Sequence, residues 1–311
     1  MRVYLTGASG FVGSNVARVF AAHGAVLIRP VHQHRPDGAA DEPAVDLTDP
    51  DATRASVEVA RPDAVVHCAI LNDFARLYAD RRAGWDAYVG ATRTVVDAAN
   101  AVGAKVVLVS TDWVFDGTQS GADEATPPNP VNLYGVLKVA SELVVTERAV
   151  DGAVARISGV NGVHWARPHG PRRQDAGFGY FVTSLVDRLS AGEPFLAWEG
   201  DDLNMIATPT LASDGAELMW RIIEQDRRGI FHCCGGETVG RRQLAELAAG
   251  VFELDPSLLR FGPPPPGAVP PGPVPYDTSL SATVTAAALD VELPSVREQL
   301  TRFRAELKAV G

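Results

Sequence analysis

The chain has 311 residues, 46% of them hydrophobic and 21% charged, and a formal net charge of −10. That length buries a large core, as one large domain or two coupled ones, and the acidic balance argues against nucleic acid or an anionic membrane surface as the main partner. No apolar run reads as long enough to cross a bilayer and Met1 leads straight into a strand-like run, so a cytoplasmic location is expected. Along the first half, short apolar runs alternate with longer amphipathic ones: RVYLTG then FVGSNVARVFAAHG, AVLIRPV, ATRASVEVARP then DAVVHCAI, and RAGWDAYVGATRTVVDAANAVGA then KVVLVS. Alternation of this kind predicts βαβ units and a parallel sheet covered by helices. The second half is less regular. GAVARISGV reads as a strand, residues 161–179 as a polar loop, and YFVTSLVDRLSAG, RRQLAELAAGVFEL and LPSVREQLTRFRAELKAV as helices, while GPPPPGAVPPGPVP at 262–275 reads as an extended connector. The expected fold is α/β: a doubly wound Rossmann domain over 1–157, to which segments near 200–230 return, and a smaller α/β substrate-binding domain over most of 158–311.

YLTGASGFVGSNVA places Gly7, Gly10 and Gly13 between the first strand and the first helix. Glycine permits the tight turn and the close approach of backbone to a ligand. The helix start offers free N–H groups and partial positive charge to a pyrophosphate. The candidate cofactor cradle is therefore Gly7, Ser9, Gly10, Phe11, Val12 and Gly13, with Cys68, Ala69 and Ile70 at the end of a neighbouring strand. An acid at the end of the second strand selects NAD, and a base accommodates the extra phosphate of NADP. The stretch AVLIRPVHQHR holds no acid before Asp37 but offers Arg29, His32 and Arg35, which leans towards NADP, with NAD as the alternative. Asp46, with Leu47 beside it, follows the next short run and is a candidate for the adenine end.

VSTDWVFDG ends a buried strand in hydroxyl residues, which puts Thr111 at the carboxyl edge of the sheet, where ligands of such sheets sit. In the helix that follows, Tyr134 and Lys138 are four residues apart and share a face. Tyrosine at its ordinary pKa near 10 is a poor acid–base group at neutral pH, and a nearby ammonium is expected to lower it. Cys68, Cys233 and Cys234 fit neither a disulfide framework nor a zinc motif. The lone pair His32 and His34 has no third ligand in recognisable spacing, so no metal site is expected.

These residues resemble the extended short-chain dehydrogenase/reductase superfamily. Within it the chain is most similar to dTDP-4-dehydrorhamnose reductases, through VSTDWVFDG, PVNLYGVLKVASE, NMIATPT at 204–210 and GIFHCCGG at 229–236. The resemblance implies reduction of a keto group with NAD(P)H. Tyr134 would protonate the carbonyl oxygen, Lys138 would hold the nicotinamide ribose, and Thr111 would orient the oxygen. Asp112, Trp113, Arg172 and Arg173 are candidate substrate contacts, and the implied substrate is a 4-keto nucleotide-activated deoxysugar.

Three departures stand out against the resemblance. Tyr88 occupies the position where many family members carry an asparagine of a proton relay. The text PVPYDTSL at 273–280 lacks the arginine that often holds a sugar nucleotide. The loop at 161–179 is long and carries Arg167, Arg172 and Arg173, which could supply phosphate contacts or stand exposed. Trp113 and Phe115 either wall the pocket or pack at the domain junction. Helices over 83–102 and 134–150 either pair two copies of the chain or pack on the sheet. The competing readings are a reductase of a non-nucleotide ketone or imine, and an epimerase or dehydratase. A non-catalytic partner is a further one, since the regulatory subunit of methionine adenosyltransferase resembles the same reductases.

Overall fold

The computed structural model describes residues 1–32, 42–71, 73–170, 172–269 and 272–310. In chain order the elements are β1 (Arg2–Thr6), α1 (Phe11–Ala22), β2 (Val26–Ile28), α2 (Pro50–Ala60), β3 (Ala64–His67), α3 (Phe74–Ala79), α4 (Arg81–Trp85), α5 (Ala91–Val102), β4 (Lys105–Thr111), α6 (Leu133–Arg148) and β5 (Gly152–Ile157). The second half continues with α7 (Phe181–Ser190), β6 (Phe195–Trp198), β7 (Ile206–Ala207), α8 (Ala212–Glu224), β8 (Gly229–His232), β9 (Val239–Gly240), α9 (Arg241–Val251), β10 (Leu259–Gly262), β11 (Asp277–Thr278), α10 (Thr283–Leu289) and α11 (Val296–Lys308).

Six parallel strands form the main sheet in the order β2-β1-β3-β4-β5-β8. The chain runs from β1 outward to β2, then returns to the other side of β1 for β3, so the carboxyl ends of β1 and β3 flank a topological switch point. Beyond β2 a single parallel bridge pairs Val31 with Ala44 and lengthens the sheet at its edge. Every residue of β4 is buried, as expected of a strand covered on both faces. One face packs against α1, α8 and α10 around Val16, Phe20, Met219 and Ile222, and the other packs against α2, α5 and α6 around Val57, Val95, Val96 and Val145. Thus α8 and β8 complete the first sheet after the chain has visited the second layer.

That second layer has its own core, made by α7, α9 and α11 with β6 and β10. A small sheet β11-β7-β9 lies between the two. Sequence reasoning did not find α3, β6, β10, β11 or α10, because two to seven residues carry too little periodicity. Cap chemistry was local: Asp49 accepts from the N–H of Asp51 and Ala52 with Pro50 at the first turn of α2, Asn132 accepts from Gly135 at the start of α6, and Ser295 and Glu298 form a capping box on α11. Residues 263–269 and 272–275 carry no helix or strand.

Candidate active site

Between β1 and α1 the chain makes a turn that only glycine allows. Gly7 has φ +71°, and a side chain there would lie 2.6 Å from the Ala69 nitrogen. A Cβ on Gly13 would lie 2.1 Å from the Gly7 carbonyl oxygen. The helix behind the turn has Gly10 at its cap, no side-chain cap and no acid in its first turn, so its free N–H groups suit an anion. Ser9, Phe11 and Val12 are partly buried around the turn. Across the switch point, Cys68 and Ala69 are partly buried and Ile70 is exposed at the end of β3. The Ala69 N–H donates to Thr6 Oγ1 at 3.3 Å. The Cys68 thiol is pushed up to about 12 by burial, against the pull of the Lys138 charge, so it stays a neutral wall of the cleft. Open N–H groups and a glycine-lined cradle fit a dinucleotide pyrophosphate.

At the edge strand an acid from further along the chain stands beside the residue that follows β2. Glu42 Oε2 accepts from the Arg29 N–H and Oε1 from Arg29 Nε, both at 2.7 Å. The pairing Val31–Ala44 is parallel, with Val31 N donating to the Pro43 oxygen and Val45 N to the Val31 oxygen. The same register brings Glu42 alongside Arg29. Thirteen positions separate the two in sequence, so the pairing is set by the register and not by local pattern. His32 is exposed and lies 3.7 Å from Asp46, whose carboxylate is otherwise held by Thr48 through that residue's N–H and hydroxyl. Leu47 packs beneath, against the core of α2 and α5. Arg35 and His34 lie outside the described residues.

Thr111 is the last residue of β4 and is 7% exposed. Its hydroxyl donates to Asp112 Oδ1 at 3.0 Å. Helix α6 starts against it: a Cβ on Gly135 would lie 2.2 Å from the Trp113 carbonyl oxygen, so this glycine sets how closely Tyr134 approaches the strand end. The Tyr134 ring is boxed by Phe74 at 5.5 Å, Tyr88 at 6.0 Å and Trp113 at 6.1 Å between centroids. Phe74, on the short helix α3, was not foreseen. Lys138 is 4% exposed and donates from Nζ to the Val109 carbonyl at 2.9 Å, with the ammonium 5.6 Å from the Tyr88 ring centre and 6.0 Å from that of Tyr134. Thr111, Tyr134 and Lys138 therefore meet at one place, beside the cradle.

The electrostatics differ from the expectation. Burial drives the Tyr134 hydroxyl above its ordinary value, the Thr111 hydroxyl pulls it down, and the charges of Asp112 and Asp175 raise it further. Burial also lowers Lys138 to about 8, opposed by Cys68 and Glu142. The expected depression of Tyr134 by Lys138 is overturned. Loss of hydration by the phenolate outweighs the attraction, and the ammonium sits over the rings with a strand carbonyl as its acceptor. Tyr88 lies in a π-helical turn, Asp86–Gly90, and its hydroxyl donates to the Leu71 oxygen at 3.0 Å.

Asp112 does not face the cleft. It is 4% exposed, and besides Thr111 it accepts from Ser158 at 2.7 Å and Thr278 at 2.5 Å. All three hydroxyls hold its carboxylate inside the protein, where it ties β4, β5 and β11 together, so Asp112 is a linking residue and not the substrate contact expected from the sequence. Burial still raises its pKa against those three donors. Trp113 and Phe115 divide the alternatives between them. Trp113 walls Tyr134, whereas Phe115 is buried between the Arg156 guanidinium and His232. The segment at 273–280, without its arginine, lies along the site through Thr278 and through the Pro273 carbonyl, which accepts from Asn132.

The 161–180 loop is anchored to α1. Asn15 donates to the Val163 oxygen at 2.8 Å and accepts from Trp165, Arg18 lies over the Trp165 ring, and Phe11 stacks on Tyr180 at 4.8 Å and His164 at 5.9 Å. Arg172 donates to the Arg167 carbonyl and lies 5.2 Å from the centre of the Tyr180 ring. Arg173 is exposed. Further along, Asp175 is solvent-accessible, yet the protein around it pushes its carboxyl up to about 6, against the pull of Arg241. Asn204 is buried and donates to the Pro275 carbonyl and Thr278.

A doubly wound sheet with a glycine cradle, and with Thr, Tyr and Lys converging beside it, defines the extended reductase class of the opening resemblance. The model of the family described as RmlD substrate binding domain matches residues 1–309, and the chain belongs to that family. Methionine adenosyltransferase 2 subunit beta of Rattus norvegicus is 27% identical over 271 residues, 83% of this chain and 74% of that protein. A dTDP-4-dehydrorhamnose reductase of Burkholderia thailandensis is 36% identical over 161 residues, 51% of this chain and 50% of that protein. The crystal structure of dTDP-4-dehydrorhamnose reductase from Bacillus anthracis in complex with NADP superposes with a TM-score of 0.80 at 22% identity, covering 98% of this chain and 99% of that one. Among the described residues no helix is long and apolar enough to cross a membrane.

Proposed function

We propose that the chain is an NAD(P)H-dependent ketoreductase, with NADP as the expected cofactor and the 4-keto group of a nucleotide-activated deoxysugar as its target. The observation that carries this reading is the convergence of Thr111, Tyr134 and Lys138 at the carboxyl edge of β4, beside an uncapped helix start. A bound nicotinamide would supply the hydride. Tyr134 keeps its proton well above neutral pH and gives it to the carbonyl oxygen as that oxygen gains charge. Such a placed acid contributes roughly 10² to 10⁴ in rate. The Thr111 hydroxyl, bonded to Asp112 when the cleft is empty, turns to donate to the same carbonyl oxygen and orients it for Tyr134. Lys138 holds the ribose side, while Phe74 and Trp113 give the sugar an apolar wall and keep water away. Pairing of two copies through α5 and α6 belongs to the same reading, since Val136 and Leu143 stand exposed on α6.

Two observations support other readings. No arginine stands at 273–280, which favours a ketone or imine without a nucleotide. The match to methionine adenosyltransferase 2 subunit beta over 83% of the chain favours a binding partner that keeps the cleft without turnover. One experiment separates them: titrate the protein with NADPH and NADH, then follow oxidation of the bound cofactor by 4-keto nucleotide sugars and by simple ketones. Turnover of a nucleotide sugar, lost in Tyr134→Phe with cofactor binding retained, is the expected result. Binding without oxidation by any nucleotide sugar moves the assignment to another ketone or to the partner role. A biological role that survives Tyr134→Phe intact removes catalysis from the account.

A further inference from the structure

We infer that Glu142 is a positioning residue for the proposed reduction: gripped by Ser110 and Arg156, it holds α6 in register with the end of β4 and keeps a carboxylate one turn beyond the Lys138 ammonium. The inference rests on the reductase reading, and its observations lie behind the cleft. Tyr134, Lys138 and Glu142 follow one another at four-residue steps along α6. Between them they meet the last three residues of β4. Lys138 Nζ donates to the Val109 carbonyl at 2.9 Å, Ser110 Oγ donates to Glu142 Oε1 at 2.5 Å, and the Thr111 hydroxyl lies against that of Tyr134. The next strand adds a further grip. Arg156 stands opposite Ser110 in the β4–β5 ladder. Its guanidinium takes the same carboxylate as a fork, Nε to Oε1 at 2.9 Å and Nη2 to Oε2 at 2.7 Å. Ser110, Glu142 and Arg156 are 1%, 3% and 1% exposed.

A buried ion pair adds little stability over apolar residues of the same size, and α6 already packs on the sheet through Val145. What the fork adds is direction and charge. A slip of α6 along β4 would break it, and the same slip would carry Lys138 off the Val109 carbonyl and Tyr134 away from Thr111. The charge acts on Lys138 itself. Burial lowers that amine to about 8, opposed by Cys68 and Glu142. Burial keeps the other titratable groups around it uncharged near that pH: the His67 imidazole and Cys68 thiol at the end of β3, and the Tyr88 and Tyr134 phenols. The Glu142 carboxylate is then the charge that sustains the ammonium. The Arg156 guanidinium tempers that support, so the effect is largest when the carboxylate alone is removed.

The test is steady-state reduction by the full chain, with a thermal melt, in the wild type, in Glu142→Gln, and in a double variant carrying Glu142→Met and Arg156→Met. In the double variant kcat should fall roughly tenfold or more, since small displacements of a catalytic group are costly. Its melt should stay close to wild type, because no buried charge is left without a partner. In Glu142→Gln the alkaline fall of kcat/KM should move to lower pH, because Lys138 gives up its proton earlier. A pair with only a structural role would shift the melt and leave kcat and the alkaline fall in place. Wild-type kcat in a folded double variant, or an unmoved alkaline fall in folded Glu142→Gln, overturns the inference and spares the reductase reading. Failure of the wild type to reduce any ketone overturns the reductase reading, and this inference with it. Where one variant does not fold, the other decides.

Discussion

Lys138 illustrates how a single residue can be read correctly for place and wrongly for charge. Spacing put it on one helical face with Tyr134, and the two do lie together. Burial then set the sign of both pKa changes, and burial is a property of the packed molecule. With its amine lowered to about 8, Lys138 is charged below that pH and neutral above it. The unfolded chain keeps the ordinary lysine value near 10.4, so between about pH 8 and 10 it binds more protons than the folded one. The contribution of this residue to stability therefore rises with pH across that window. Ribose binding and electrostatic support run the other way: kcat/KM for reduction should fall as pH rises through about 8. A pH profile of Lys138→Arg checks this, because a guanidinium stays charged. The alkaline fall should move upward or vanish, and a fall unchanged in that variant assigns it to another group.

At the scale of the element, α6 carries the chemistry because its start is locked at two points. Asn132 caps the helix through the Gly135 N–H at 2.9 Å, and Gly135 lies so close to the Trp113 carbonyl that a methyl group would collide with it. Gly135→Ala should therefore push the first turn away from β4 and carry Tyr134 with it. Turnover should drop by roughly tenfold or more, since small displacements of a catalytic group are costly, with NADPH binding changed far less. Steady-state kinetics beside cofactor titration would show that split, and unchanged kcat would mean that the helix start does not set the reaction geometry. The helix itself and its cap were legible in PVNLYGVLK. Its contact with the strand turn was not, because the clash partner is the backbone of residue 113.

At the scale of the whole molecule, Arg241 ties the loop before α7 to the start of α9. It opens α9, is wholly buried, and donates to the carbonyls of Asn204 at 3.2 Å and Asp175 at 3.2 Å, to that of Gly177, and to the Gln174 side chain at 3.3 Å. Those contacts hold the stretch in which Gly177 lies against Trp113. Arg241→Ala would leave several buried acceptors without donors, at about 3 kcal/mol. A thermal melt should shift down by several degrees. The substrate KM should rise while NADPH affinity changes little, because the cradle belongs to the other layer. Equal losses in both constants would mean that the layers do not act separately.

The sequence by itself determined the longer strands and helices of the first layer, the glycine cradle, and the grouping of Thr111 with Tyr134 and Lys138. Each depends on short-range rules: the two-residue period of a buried strand, the need for glycine at a positive φ, and the four-residue spacing that puts Tyr134 and Lys138 on one face. Tertiary structure alone decided which groups surround them. Phe74 reaches Tyr134 from a six-residue helix, Asp112 turns inward because Ser158 and Thr278 arrive from distant strands, and Glu42 meets Arg29 through a parallel register thirteen residues apart. Such contacts form between segments that share no local pattern, and their charges are set by how much water the packed protein removes.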